Sequence, residues 1–69
     1  MRWFTISIDG TPPTEVANKF WVEISRFDVN FMVLDRYSFI YGYANDNVIE
    51  ILYNKAKKLG FEVEIERGC

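Results

Sequence analysis

Two β-prone segments, Val29 to Leu34 and Tyr37 to Tyr43, stand only two residues apart, and that closeness restricts the fold more than any other feature of the chain. Extended segments joined by Asp35-Arg36 leave no room for a crossover, so they pair as a tight hairpin. The turn is not of the favoured Asn-Gly type, which leaves loops of two and of four residues open. Both lengths give the same parity. Leu34 faces Tyr37, Met32 faces Phe39 and Asn30 faces Tyr41 on one side, while Val33/Ser38, Phe31/Ile40 and Val29/Gly42 pair on the other.

The flanking segments supply the remaining elements. Trp3-Phe4-Thr5-Ile6-Ser7-Ile8 alternates with period two, placing Phe4, Ile6 and Ile8 on one face and Trp3, Thr5 and Ser7 on the other. Asp9-Gly10 ends this strand. Thr11-Pro12-Pro13-Thr14-Glu15 then reads as a helix start, with Thr11 or Thr14 as the cap. Along the following helix Val16, Ala17, Phe20, Ile24 and Phe27 fall within one stripe, with Trp21 at its edge.

After the hairpin, Asn45-Asp46-Asn47 offers caps for a second helix, and Asn47 with Glu50 has capping-box spacing. Its stripe is Val48, Ile49, Leu52, Ala56 and Leu59. Lys55, Lys57 and Lys58 suit the negative helix end, and Gly60 suits a left-handed position beyond it. Phe61, Val63 and Ile65 alternate with Glu62, Glu64 and Glu66 in a last strand.

The order is strand, helix, strand, strand, helix, strand, in one domain spanning residues 1–69, since a chain of 69 residues has no room for a second core. Two right-handed crossovers in that order interleave the strands into a four-stranded antiparallel sheet, order 4-1-3-2, with two helices on one face. This α+β arrangement resembles the ferredoxin-like β-α-β-β-α-β superfold. Because that scaffold hosts many activities, the resemblance implies a fold and no function.

Helices cover one face only. The aliphatic and Phe side chains of Val29, Phe31, Val33 and Ile40, joined by those of the outer strands, suit the covered side. The open face then receives Trp3, Met32, Leu34, Tyr37, Phe39, Tyr41 and Tyr43, beside Thr5, Ser7, Asn30 and three glutamates. Aromatic residues make up 17% of the chain. Each carries ~150 to 250 Å² of side-chain surface, so together they exceed the largest patch of a typical monomer. A patch of that size usually meets a partner.

The leading expectation is therefore a non-catalytic interaction module that forms a homodimer or higher homo-oligomer through these seven residues. A small domain buries only ~60% of the surface of its unfolded chain and commonly needs a disulfide, a metal or a partner. Cys69 is the only cysteine and cannot close an internal disulfide; it reads as an inert terminal thiol. The absence of His excludes zinc sites and Ser-His or Cys-His nucleophiles, and no cofactor motif is present. Glu62, Glu64 and Glu66 line one strand face nearly 7 Å apart and read as solvated charge that discourages edge pairing.

Two other classes compete. Tyr37-Ser38-Phe39-Ile40 is similar to the F/Y-G/A-F/Y-V/I centre of the third-strand signature of the RNA-recognition motif family, which implies base stacking there, with Trp3 as the first-strand stacker. Asp35, Arg36 and Gly42 depart from that signature, and the glutamates and a net charge of -2 oppose a phosphate backbone. The element order also resembles ACT-like regulatory domains, which implies a small ligand near Asp9 to Thr14. The lone cysteine and the lack of an apolar run after Arg2-Trp3-Phe4 point to a cytoplasmic protein. Many Glu and Lys without His or Gln suggest a thermophilic source, against which stand five Asn residues.

Overall fold

The computed structural model describes residues 1–68; Cys69 lies outside them. The elements run β1 (Arg2–Asp9), α1 (Thr14–Ile24), β2 (Val29–Leu34), β3 (Tyr37–Ala44), α2 (Asp46–Lys57) and β4 (Glu62–Arg67). All neighbouring strands are antiparallel and lie in the order β2-β3-β1-β4, the expected 4-1-3-2 read from the other edge. The fold is ferredoxin-like α+β. No helix among the described residues is long and apolar enough to cross a membrane.

Asp35-Arg36 closes a two-residue hairpin, and Asp35 takes the one positive φ among the described non-glycine residues, at 51°. A positive φ in a two-residue loop matches the right-handed twist of the strands it joins. The register is Leu34 with Tyr37, Met32 with Phe39 and Asn30 with Tyr41. Parity then decides burial on β3, where Ser38, Ile40, Gly42 and Ala44 are buried and Tyr37, Tyr41 and Tyr43 are exposed.

The core lies between the sheet and the helices. Phe4, Ile6 and Ile8 of β1 and Ile40 and Ala44 of β3 meet Phe20 and Ile24 of α1 and Ile49, Leu52 and Ala56 of α2. Ser38 is the buried polar side chain of this layer, and its hydroxyl donates to the Gly10 carbonyl at 3.1 Å. Burial without that bond would leave the hydroxyl unsatisfied.

Several local details differ from the sequence reading. Neither Thr11 nor Thr14 caps α1. Pro13 holds the cap position at φ -53°, ψ 150°, with no side-chain bond, and Thr11 donates instead to the Asp35 carbonyl at 2.8 Å. The reason is the proline pair: a residue preceding proline is pushed to extended backbone, so the chain cannot turn helical before Pro13. Thr14 is then already inside the helix.

In α2 the cap is Asn45, whose side chain accepts from the Val48 amide at 2.9 Å, and Glu50 turns to Arg67 at 3.1 Å instead of forming a capping box with Asn47. Val16, expected in the apolar stripe of α1, is largely exposed. Gly60 has the anticipated left-handed backbone, at φ 90°.

Candidate functional site

The uncovered face of the sheet is ordered in rows that cross the strands. One row runs Leu34, Tyr37, Asp9, Glu62; the next Met32, Phe39, Ser7, Glu64; the next Asn30, Tyr41, Thr5, Glu66. Tyr43 and Trp3 make a shorter row at the far end. Each of the three long rows is aromatic at β3 and acidic at β4, with an apolar residue at β2 in two of them and Asn30 in the third. The face is therefore split lengthwise.

All seven residues expected on this face are there. Trp3 is 64% exposed, and Met32, Leu34, Tyr37, Tyr41 and Tyr43 are also exposed, while Phe39 is half-buried at their centre. Tyr37 and Phe39 lie with ring centroids 6.4 Å apart, and Met32, Leu34, Phe39 and Tyr41 with Thr5 line a shallow depression. Trp3 and Tyr43 form a second aromatic pair at 5.3 Å with planes tilted by 58°. Such tilted contacts suit the quadrupoles of the two rings.

Along the other half, Ser7, Asp9, Tyr37, Glu62 and Glu64 line a separate acidic hollow. Asp9 stands directly opposite Glu62. No basic residue occupies an open-face position in any of the four strands: Arg2 is drawn toward Asp46 at 3.1 Å and Arg67 toward Glu50. Among the described residues no group of three or more His, Cys, Asp and Glu is arranged to hold a metal ion.

The β1–β3 register separates residues that a stacking platform needs side by side. Trp3 pairs with Tyr43, whereas Phe39 pairs with Ser7 and Tyr37 with Asp9. Four residues of strand, roughly 13 Å, separate Phe39 from the row that holds Trp3. The Tyr37-Ser38-Phe39 centre thus has a hydroxyl and a carboxylate beside it where an aromatic neighbour was expected. That offset was invisible in the sequence, because only the crossover through α1 sets how β1 slides against β3.

The segment from Gly10 to Pro13 is tied down within the domain. Its Gly10 carbonyl accepts from Ser38, Thr11 holds the hairpin turn, and Pro12 is buried. A Cβ at Gly10 would lie 2.3 Å from a ring carbon of Phe61. These contacts give the segment a structural task.

One surface was missed by sequence reasoning. Trp21 of α1, 45% exposed, sits 6.1 Å from Phe31 on edge strand β2, and Val33 beside it is 44% exposed. The sequence signal was the position of Trp21 at the margin of the helical stripe. Compared with known proteins, the chain matches no family model and no curated sequence.

Proposed function

We propose that the protein is a non-catalytic interaction module that self-associates through the β2–β3 half of its open sheet face. The observation that carries this reading is the lengthwise division of that face into an aromatic half and an acidic half.

The energetics favour a partner on the apolar half. At the observed exposures the seven side chains, six on β2 and β3 with Trp3 of β1 beside Tyr43, present roughly 500 to 700 Å² per copy, at the upper end of the largest patch of an ordinary monomer. Burying about 1,000 Å² of apolar surface in total corresponds to a gross gain of about 25 kcal/mol, an upper estimate, against an association cost of roughly 4 to 15 kcal/mol.

Charge argues against a nucleic acid as the occupant. Glu62, Glu64, Glu66 and Asp9 border the patch, and no cation on the strands' open side offsets them, so a polyanionic ligand meets repulsion. A second copy can set its hairpin against this hairpin about a twofold axis parallel to the strands. Both acidic borders then stay in water on opposite sides of the interface.

Sedimentation at about 100 μM tests the reading. Phe39→Asp places a carboxylate at the centre of the patch and should convert the wild-type species to a smaller one. A wild-type monomer at that concentration, or a variant of unchanged mass, sinks it; so does tight binding of a single-stranded oligonucleotide at low salt.

A further inference from the structure

The two edges of the sheet are built differently. At one edge, β4 alternates Glu62, Glu64 and Glu66 with apolar residues and ends on Arg67. At the other, β2 reads Val29-Asn30-Phe31-Met32-Val33-Leu34, six residues with no charge and no proline. Its pairing with β3 runs unbroken from Val29 to Leu34, so no bulge twists the edge away. Charges, prolines and bulges are what keep an exposed edge from pairing with another chain. The β2 edge has none of them.

The charges just outside β2 say what fits there. Asp28 immediately precedes the strand, and Asp35 and Arg36 form the turn that follows it; all three are exposed, and none is in an ion pair among the described residues. In an antiparallel ladder of β2 with itself, opposed residues must lie on the same sheet face, so the sum of their numbers is even. A ladder centred on Met32 sets Met32 against its own copy, Phe31 against Val33, and Asn30 against Leu34. Just beyond the ladder, the bend at Asp28 of each copy comes alongside the Asp35-Arg36 turn of the other, where the long Arg36 side chain can meet the Asp28 carboxylate. A ladder centred on Phe31 instead sets Leu34 of each copy beside the Asp28 bend of the other and leaves Arg36 without that carboxylate.

We propose that a second copy of the chain adds to the free edge of β2, antiparallel and centred on Met32, joining two four-stranded sheets into one continuous sheet with helices on the same side. Phe31 and Val33 then form an aromatic and β-branched cross-strand pair on the helical side, where the exposed Trp21 ring leans on Phe31. The contact uses the strand's outer backbone and not its open face, so it stands apart from the face-to-face association above. Each fails or holds without the other.

The test is a charge exchange read by sedimentation at about 100 μM in the Phe39→Asp background, which removes the face contact. That protein should be a dimer. Asp28→Arg alone should weaken it about tenfold to a hundredfold, because two attractive pairs become two repulsive ones, and adding Arg36→Asp should restore it. A monomeric background protein, or a double exchange that restores nothing, overturns the proposal. Amide hydrogen exchange on the wild-type chain gives a second reading that survives any folding defect of Phe39→Asp. The outward-facing amides of β2 should be protected and should lose protection on dilution, whereas free exchange of those amides at high concentration also overturns it.

Discussion

Gly10 carries a steric demand that no other residue could meet. Its φ of 155° lies where side chains are rarely tolerated, and an added Cβ would come 2.3 Å from the Phe61 ring, which packs against the core. Gly60 shares the unusual backbone, at φ 90°, but nothing lies within 4 Å of its missing Cβ. The two glycines therefore separate steric from backbone cost. Gly10→Ala should lower unfolding free energy by about 2 to 4 kcal/mol, as the Phe61 ring is displaced and the backbone strained together. Gly60→Ala should cost only about 1 to 2 kcal/mol, the backbone part alone. Urea unfolding measures both, and equal losses would place the strain of Gly10 in its dihedral angle and not against Phe61. Gly10 was legible in the sequence as a strand terminator, but its contact with Phe61 was not, since the two are distant in the chain and adjacent only across the β1–β4 pair.

At the scale of elements, period-two patterns were read more securely than helix ends. The hairpin register followed from the short loop together with parity, because a slip by one residue would turn one strand over against the other, sending either Phe31 outward or Ile40 outward with the tyrosines under the helices. Caps lack such a constraint. Asn45 and Asn47 are chemically equal candidates, and the choice between them depends on where the chain leaves β3, at Ala44. Once Asn45 is extended, at φ -80° and ψ 166°, its side chain reaches the Val48 amide, and Glu50 is free to meet Arg67 of β4. Asn45→Ala should thus lose about 1 kcal/mol of stability, a typical cap contribution, while Asn47→Ala should change it by less than about 0.5 kcal/mol. Thermal or urea unfolding of the pair checks the assignment, and the reverse order of effects would return the cap to Asn47. The start of α1 is dictated by two prolines. Val16 shares the stripe of Phe20, four residues on, and lines a groove with Phe20 and Leu59, but in the first turn it stays 40% exposed.

The whole molecule is closely packed yet leaves much apolar surface uncovered. Its radius of gyration, 11.0 Å, is what a compact domain of this length should have, so the exposed rings are not the product of a loose fold. They follow from architecture, since two helices cover one face of a four-stranded sheet and nothing in the described chain covers the other. Element order made that asymmetry legible in the sequence, and parity named the residues; the offset of Trp3 from Phe39 and the bare β2 edge required the tertiary register and strand order. If association completes the burial that one copy cannot, folding and assembly are linked, and stability must depend on protein concentration. For a dimer that unfolds to monomers, a hundredfold rise in concentration adds about 1.4 kcal/mol per chain, which in a domain of this size raises Tm by roughly 5 to 10 °C. Calorimetry at about 2 and 200 μM measures the shift. Phe39→Asp should reduce the melting temperature most at the higher concentration, where the wild-type chain gains most from its partner. A melting temperature that stays constant across that range would mean that each copy is stable with its aromatic face in water, and that self-association contributes nothing to the fold.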